Sequence, residues 1–374
     1  MSIWSFPTKI IFGAGEIQRL GTEAAALGVA RVLVVADAGV EKNGLLQAPL
    51  SALASAGLVT HVFTRVDGNP TEQNIEDGAK EYAAHRAEAV VAVGGGSPMD
   101  AAKLIALRAV CSLSFEELDD AIDGGVHVPA HVPPIITVPT TAGTGSEVGR
   151  SGVLTVRSTG RKTVIFSPRL LAKVAILDPE LTVSMPKGVT AATGFDALTH
   201  CVEAYLSLGD HPLADAIALG GIELVAHYLE RAVAAPTDLE ARGGMMKAAM
   251  MGAIAFQKGL GACHSLAHPL SSEHGLHHGL ANALCLPPVV AFNQSAVPDR
   301  VRRVGALLGD PSDAAAAIAA LRSRVGIDAG LAGAGIREEH LAPLAQKAAL
   351  DACHRSNPRP CSETDLLGLY RASL

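Results

Sequence analysis

The chain has 374 residues and a formal net charge of -7, with 49% hydrophobic, 18% charged and only 3% aromatic residues. That apolarity excludes a disordered chain, and the length predicts two domains rather than one core. The acidic balance and the scarcity of stacking rings argue against nucleic acid or an anionic membrane as partners.

The first half alternates strand-like and helix-like segments. Arg31-Val-Leu-Val-Val-Ala-Asp37 is a short β-branched run, the mark of a buried parallel strand, and His61 to Val66, Ala89 to Val93 and Pro134 to Val138 read the same way. Between them, Leu45 to Ala56 and Ile75 to Ala84 are helical in composition. Strand–helix alternation predicts an α/β domain with a parallel sheet covered on both faces. Gly152 to Phe166 predicts a β-hairpin, its two runs separated by Ser158-Thr-Gly160, and Val174-Ala-Ile-Leu-Asp178 predicts one more strand. After Met185-Pro186 strand-like runs nearly vanish. The reading is therefore an α/β domain over 1–186 and an all-helical domain over 187–374.

Six cysteines (Cys111, Cys201, Cys263, Cys285, Cys353 and Cys361) form no CxxC pair. This predicts neither a disulfide framework nor a thiolate zinc site, and fits a reducing cytoplasm. The first residues lack the basic patch and apolar run of a signal peptide, and no stretch approaches the ~20 uninterrupted apolar residues of a membrane span. The expected location is cytoplasmic.

Ala89-Val-Val-Ala-Val93 runs into Gly94-Gly-Gly-Ser97 and then Pro98-Met-Asp100-Ala-Ala-Lys103. A strand, a turn without Cβ atoms and a helix opened by proline can bring backbone N–H groups to a pyrophosphate. The spacing is not GxGxxG, and a tight turn with no ligand would need the same glycines. Pro139-Thr-Thr-Ala-Gly-Thr-Gly-Ser-Glu147 is a second loop of hydroxyls and small residues after another strand. Both loops should leave the C-terminal edge of one sheet, where open α/β sheets bind ligands. Asp37, at the end of the first clear strand, can accept from ribose hydroxyls, which favours NAD over NADP, or can simply cap a helix.

In the second half, Asp196 and His200 stand at i and i+4 in a helical segment, and His264 and His268 repeat that spacing. His278 follows, with His274 and His277 beside it. Imidazoles with one carboxylate suit iron(II) or zinc. His61, His85, His211, His227 and His340 read as surface or core fillers.

The chain resembles the iron-containing, group III alcohol dehydrogenases nearly end to end. The resemblance rests on Pro7-Thr-Lys-Ile-Ile-Phe-Gly13, Gly94-Gly-Gly-Ser-Pro-Met-Asp100, Pro139 to Glu147, Ala192-Thr-Gly-Phe-Asp-Ala-Leu-Thr-His200, Gly261-Ala-Cys-His-Ser-Leu-Ala-His-Pro-Leu270 and His278-Gly-Leu-Ala-Asn282, with a weaker match at Ser356-Asn-Pro-Arg-Pro360. It implies a dinucleotide-binding first domain and a metal- and substrate-binding second domain, with Asp196, His200, His264 and His278 as metal ligands and His268 beside the nicotinamide, as a proton relay or in fixing the cofactor. It implies Asp37, Asn69, Gly96, Ser97, Asp100, Thr140, Thr141 and Lys162 as cofactor contacts, and a homodimer. Two positions depart from the family pattern: Ser271 replaces the usual Gly, and His277 the usual Pro.

The implied activity is hydride transfer between a nicotinamide and a small alcohol or aldehyde, with NAD and Fe2+ (or Zn2+) as cofactors. A metal-independent reductase resembling the maleylacetate reductases, a lyase related to dehydroquinate synthase, and a non-catalytic metal- or nucleotide-binding protein are the alternatives.

Overall fold

The fold is taken from a computed structural model, which describes residues 8–158 and 160–374. Pro7, at the head of the first motif, and Thr159, of the predicted turn Ser158-Thr-Gly160, lie outside the described residues. The chain forms two compact units: residues 8–141 with Ser146–Ser184, and Ala142–Gly145 with Met185–Leu374. Four residues of the Pro139–Glu147 loop thus group with the helical unit.

The first unit alternates β1 (Lys9–Phe12), α1 (Leu20–Ala26), β2 (Arg31–Asp37), α2 (Ala38–Lys42), α3 (Gln47–Ser55), β3 (Val59–Val66), α4 (Glu72–Ala84), β4 (Ala89–Gly94), α5 (Gly96–Arg108) and β5 (Ile135–Pro139). The hairpin β6 (Ser151–Thr155) and β7 (Lys162–Phe166) and a last strand, β8 (Val174–Leu177), complete it. Six strands form one parallel sheet in the order β1-β8-β5-β4-β2-β3. Period-two alternation divides each central strand between two cores. Leu33, Val35, Val90 and Ala92 pack with Met99, Leu104 and Phe115 on one face, and Val32, Val34, Val91 and Val93 with Leu20, Leu53 and Ile136 on the other. Both faces are dry, which explains the unbroken apolar runs. The antiparallel hairpin pairs Ser151 with Phe166 through to Thr155 with Lys162. Strand β1 was not foreseen: its four residues bury only Ile11 fully, too little for a period to register.

The second unit contains α6 (Lys187–Leu206), α7 (Pro212–Ala234), α8 (Leu239–Ala255), α9 (Ala262–His274), α10 (His278–Asn293), α11 (Pro298–Leu307), α12 (Ala314–Arg324), α13 (Glu338–Leu350) and α14 (Glu363–Ser373). Helix α6 is the hub, packed by α7, α8 and α10, and nearly all of its residues from Thr190 to Leu206 are buried. Among the described residues α7 alone is long and apolar enough to cross a membrane, by length and composition only. Its Asp215 is held by Lys258 at 2.5 Å and Arg300 at 2.9 Å, and the helix packs on α6 and α8.

Candidate metal centre and nucleotide loops

Asp196 and His200 lie on the inner face of α6, and both are buried. His264, on the first turn of α9, brings a ligand atom to theirs, all three lying within 4.8 Å of one another. His278 opens α10, its Nε2 3.6 Å from Asp196 Oδ1. This approach depends on Gly279: a Cβ there would stand 2.1 Å from the Ala192 carbonyl oxygen of α6. Any larger residue would push α10 away and take His278 with it.

Three side chains absent from the sequence-based ligand set hold the donors in place. Glu203, one turn beyond His200 on α6, accepts from the Cys263 amide at 2.6 Å, the His264 amide at 3.3 Å and His264 Nδ1 at 2.6 Å. Asn357 Oδ1 takes the Ala262 amide at 3.2 Å, so these two residues satisfy the open N–H groups at the start of α9. Asn282 donates to Asp196 Oδ1 at 2.8 Å. Because Nδ1 of His264 gives its hydrogen to Glu203, Nε2 retains its lone pair. That Nε2 is buried and has no hydrogen-bond partner, as is Nδ1 of His200.

A buried nitrogen left without a partner is expensive. Two of them, beside a buried carboxylate, fit a divalent cation better than they fit an apolar core. The electrostatics agree. Burial lowers His200 to about 4, keeping it neutral and able to donate a lone pair. Burial would raise Asp196, but His200, His278 and His264 together pull it below its ordinary value, so it stays ionised. Burial opposes charge on His264 too, yet the hydrogen bond and charge of Glu203, with Asp196 and Asp351, together offset this and leave it raised. The neighbouring thiols take no part: Cys201 and Cys263 contact the backbone carbonyls of Ala248 and Asn282, and burial holds both thiols protonated, Cys201 at about 12.

His268, one turn further along α9, is half-buried and hydrogen-bonds Asp351 through Nδ1 at 2.7 Å. The imidazoles of His268 and His278 stack with centroids 5.3 Å apart. Burial acts to raise Asp351, but the hydrogen bond and charge of His268, with the Cys353 amide and the Ser265 hydroxyl, together outweigh it, and its carboxyl is held well below the usual range. An ionised Asp351 can only accept, so Nδ1 carries the hydrogen and Nε2 is left to take or hold a proton. His274, at the exposed end of α9, lies against His340 with centroids 4.8 Å apart. His277 is the N-cap of α10 and lines a cavity of about 450 Å³ with Gly188, Val189, Ala192 and Leu284. Of the adjacent pair, His278 is the one brought to Asp196.

In the first unit the two predicted loops are adjacent. The Thr140 amide donates to the Gly94 carbonyl at 2.9 Å, and a Cβ on Gly95 would lie 3.2 Å from Thr141. Gly95 is the N-cap of α5 and offers no side-chain cap, which leaves the first amides of that helix for an anion. Ser97 donates to the Gly68 carbonyl at 2.6 Å, tying the Asn69 loop to the start of α5. Asn69 is exposed. Asp37 caps α2, accepting from the Val40 amide at 2.8 Å through one oxygen, so the capping role is present and the second oxygen is left over.

Asp100 points into the protein: it accepts from Ser146 at 2.6 Å and from the Val153 amide at 3.3 Å. Its neighbour Lys103 is fully buried and donates to Ser146 at 2.7 Å and to the Ser151 carbonyl at 2.8 Å. The pair clamps the loop to the hairpin from beneath, a role visible in sequence only as an i, i+3 spacing. Lys162, at the start of β7, is lowered by burial, with Asp100 acting the other way.

Comparison with known proteins agrees with this geometry. The family model described as iron-containing alcohol dehydrogenase matches residues 7–179, and the one described as Fe-containing alcohol dehydrogenase family, C-terminal, matches residues 190–374. The chain is 38% identical to the 4-hydroxybutyrate dehydrogenase of Cupriavidus necator, over 100% of both chains. It is 34% identical to the NAD-dependent methanol dehydrogenase of Bacillus methanolicus, again over 100% of both. A solved 1,3-propanediol oxidoreductase superposes with a TM-score of 0.95 at 35% identity, covering 100% of each chain.

Proposed function

The chain belongs to the iron-containing alcohol dehydrogenase family, and from that premise we propose that it interconverts small primary alcohols and their aldehydes with NAD and a bound iron(II). It is an oxidoreductase acting on alcohols, dependent on a metal and a nicotinamide cofactor. The reading rests on one observation above the others: a buried carboxylate and two buried imidazoles with ligand atoms within 4.8 Å, with Nδ1 of His200 and Nε2 of His264 buried and without hydrogen-bond partners. A metal-independent reductase has no use for that arrangement.

Asp196, His200, His264 and His278 would hold the metal, which supplies Lewis acidity to a substrate oxygen. The nicotinamide takes up or gives the hydride. Glu203 fixes His264 in the tautomer that presents Nε2, and Asn282 orients Asp196. His268, held by Asp351 at 2.7 Å, moves a proton at Nε2. Gly96, Ser97, Thr140 and Thr141 would cradle the pyrophosphate, and the free oxygen of Asp37 would accept from the adenosine ribose and repel a 2′-phosphate. Asn69 and Lys162 would contact the nicotinamide half, with Asp100 and Lys103 supporting the loops from below.

Six free cysteines, four of them buried, suit a reducing cytoplasm, and a homodimer, tested by sedimentation equilibrium, belongs to the same proposal. The test of the activity is a panel of short alcohols, diols, hydroxy acids and aldehydes assayed with NAD and NADP on iron-loaded protein. Turnover of primary alcohols with NAD is expected. Cofactor binding without turnover on any of them would leave a non-catalytic binding protein instead.

A further inference from the structure

His61 and His85, read from sequence as fillers, meet on the surface of the first unit. His61 lies on the edge strand β3, on the same face as Phe63, which packs in the core with Ile75 of α4. The chain turns back after β3, so the C-terminal end of α4 returns beside the start of the strand. That return brings Glu81 and His85, at i and i+4, to His61. His61 Nε2 is 3.0 Å and His85 Nε2 3.5 Å from the same oxygen, Glu81 Oε2. The two rings stack with centroids 3.4 Å apart and planes 16° from parallel, and both Nε2 atoms sit at the same edge of the stack, beside Glu81 Oε2.

We propose that His61, Glu81 and His85 form a second divalent transition-metal site, for Zn2+ or a similar borderline cation, independent of the centre on α6. The three ligand atoms lie within 4.8 Å of one another. Two imidazoles and one carboxylate make a three-ligand set with room for water in the remaining position. Three features favour a cation there. Arg65 occupies the other carboxylate oxygen of Glu81 at 2.9 Å, leaving Oε2 directed at the imidazoles, and that bond holds the carboxyl below its usual range, ionised and ready to ligate. His85 is the C-cap of α4, where the helix dipole favours positive charge. The side chains are 32%, 27% and 45% exposed for His61, Glu81 and His85, so an ion enters without any opening of the fold. A bound ion would clip the edge strand to the helix that covers it.

The test is metal stoichiometry. Whole protein is stripped with chelator, dialysed against excess Zn2+, desalted and counted for metal per chain by plasma emission. Wild type should retain two equivalents and His61→Ala/His85→Ala one, with its circular dichroism and alcohol oxidation unchanged. Glu81→Gln, which preserves the side-chain shape, should lose the same equivalent. A single equivalent in the wild type, or two that both survive in the double variant, overturns the proposal. Neither result bears on the centre at Asp196, whose equivalent is counted in every variant.

Discussion

Replacing Glu203 with Gln isolates what the buried carboxylate does for the metal centre. Its Oε1 accepts the Cys263 amide at 2.6 Å, while Oε2 accepts both the amide and Nδ1 of His264, at 3.3 and 2.6 Å. A glutamine keeps only one acceptor oxygen and must turn its NH2 toward a donor. If the oxygen faces His264, the Cys263 amide is left buried without an acceptor, which costs about 1–3 kcal/mol of stability. If it faces Cys263, the NH2 meets His264 Nδ1, and the ring must carry its hydrogen on Nε2, the nitrogen needed by the metal. The second arrangement should weaken metal binding about 10–100-fold, equivalent to roughly 1.4–2.8 kcal/mol. Either way one buried amide loses its acceptor, so the metal-free variant should melt lower, and in the second arrangement the metal Kd should rise as well. Competition with a chromogenic chelator measures the Kd, and a thermal melt of the stripped protein measures the first effect. A metal Kd and a melting temperature both unchanged in Glu203→Gln would refute the reasoning, since this contact would then neither satisfy the amides of α9 nor set the tautomer of His264.

Further outcomes follow from the same structure. Gly95→Val places a side chain where a Cβ alone already lies 3.2 Å from Thr141; it should raise the KM for NAD about 10–100-fold through loss of a charge-assisted contact, and an unchanged KM would remove this loop from the cofactor site. Asp37→Ala removes the cap on the Val40 amide and should lower stability by about 1 kcal/mol. The same change should narrow the preference for NAD over NADP; an unaltered cofactor ratio would leave Asp37 as a cap only. Metal retention should fall as the pH falls, because protons compete for the imidazole lone pairs. His264, raised on balance by Glu203, Asp196 and Asp351 against the effect of burial, is protonated before His200, which burial lowers to about 4. Metal content after dialysis across a pH series checks this, and retention that increased in acid would contradict it.

Much of this was legible in the sequence, and the remainder has physical reasons for being hidden. The central strands declared themselves because burial on both faces demands unbroken β-branched runs, as in Val32–Val35. Asp196 and His200, and likewise His264 and His268, were visible because a helix places i and i+4 on one face. Glu203, Asn282 and Asp351 were not visible. Glu203 reaches His264 across 61 positions and Asp351 reaches His268 across 83, and no local pattern separates such a carboxylate from a solvated one. Asp100 carried the opposite lesson: a motif position expected at the cofactor spends its oxygens on Ser146 and Val153. His61 and His85 looked like fillers because their partner, Glu81, becomes a neighbour only when α4 doubles back on β3.

The buried cluster of Asp196, His200 and His264 should serve a metal that turnover requires. The most direct test strips the protein with chelator, verifies the metal content, and assays NAD-dependent oxidation of a primary alcohol before and after iron(II) is returned, with NAD binding followed separately by fluorescence. Activity should vanish and return with iron(II), while NAD binding persists throughout. Full turnover by protein verified to be free of metal would contradict the account.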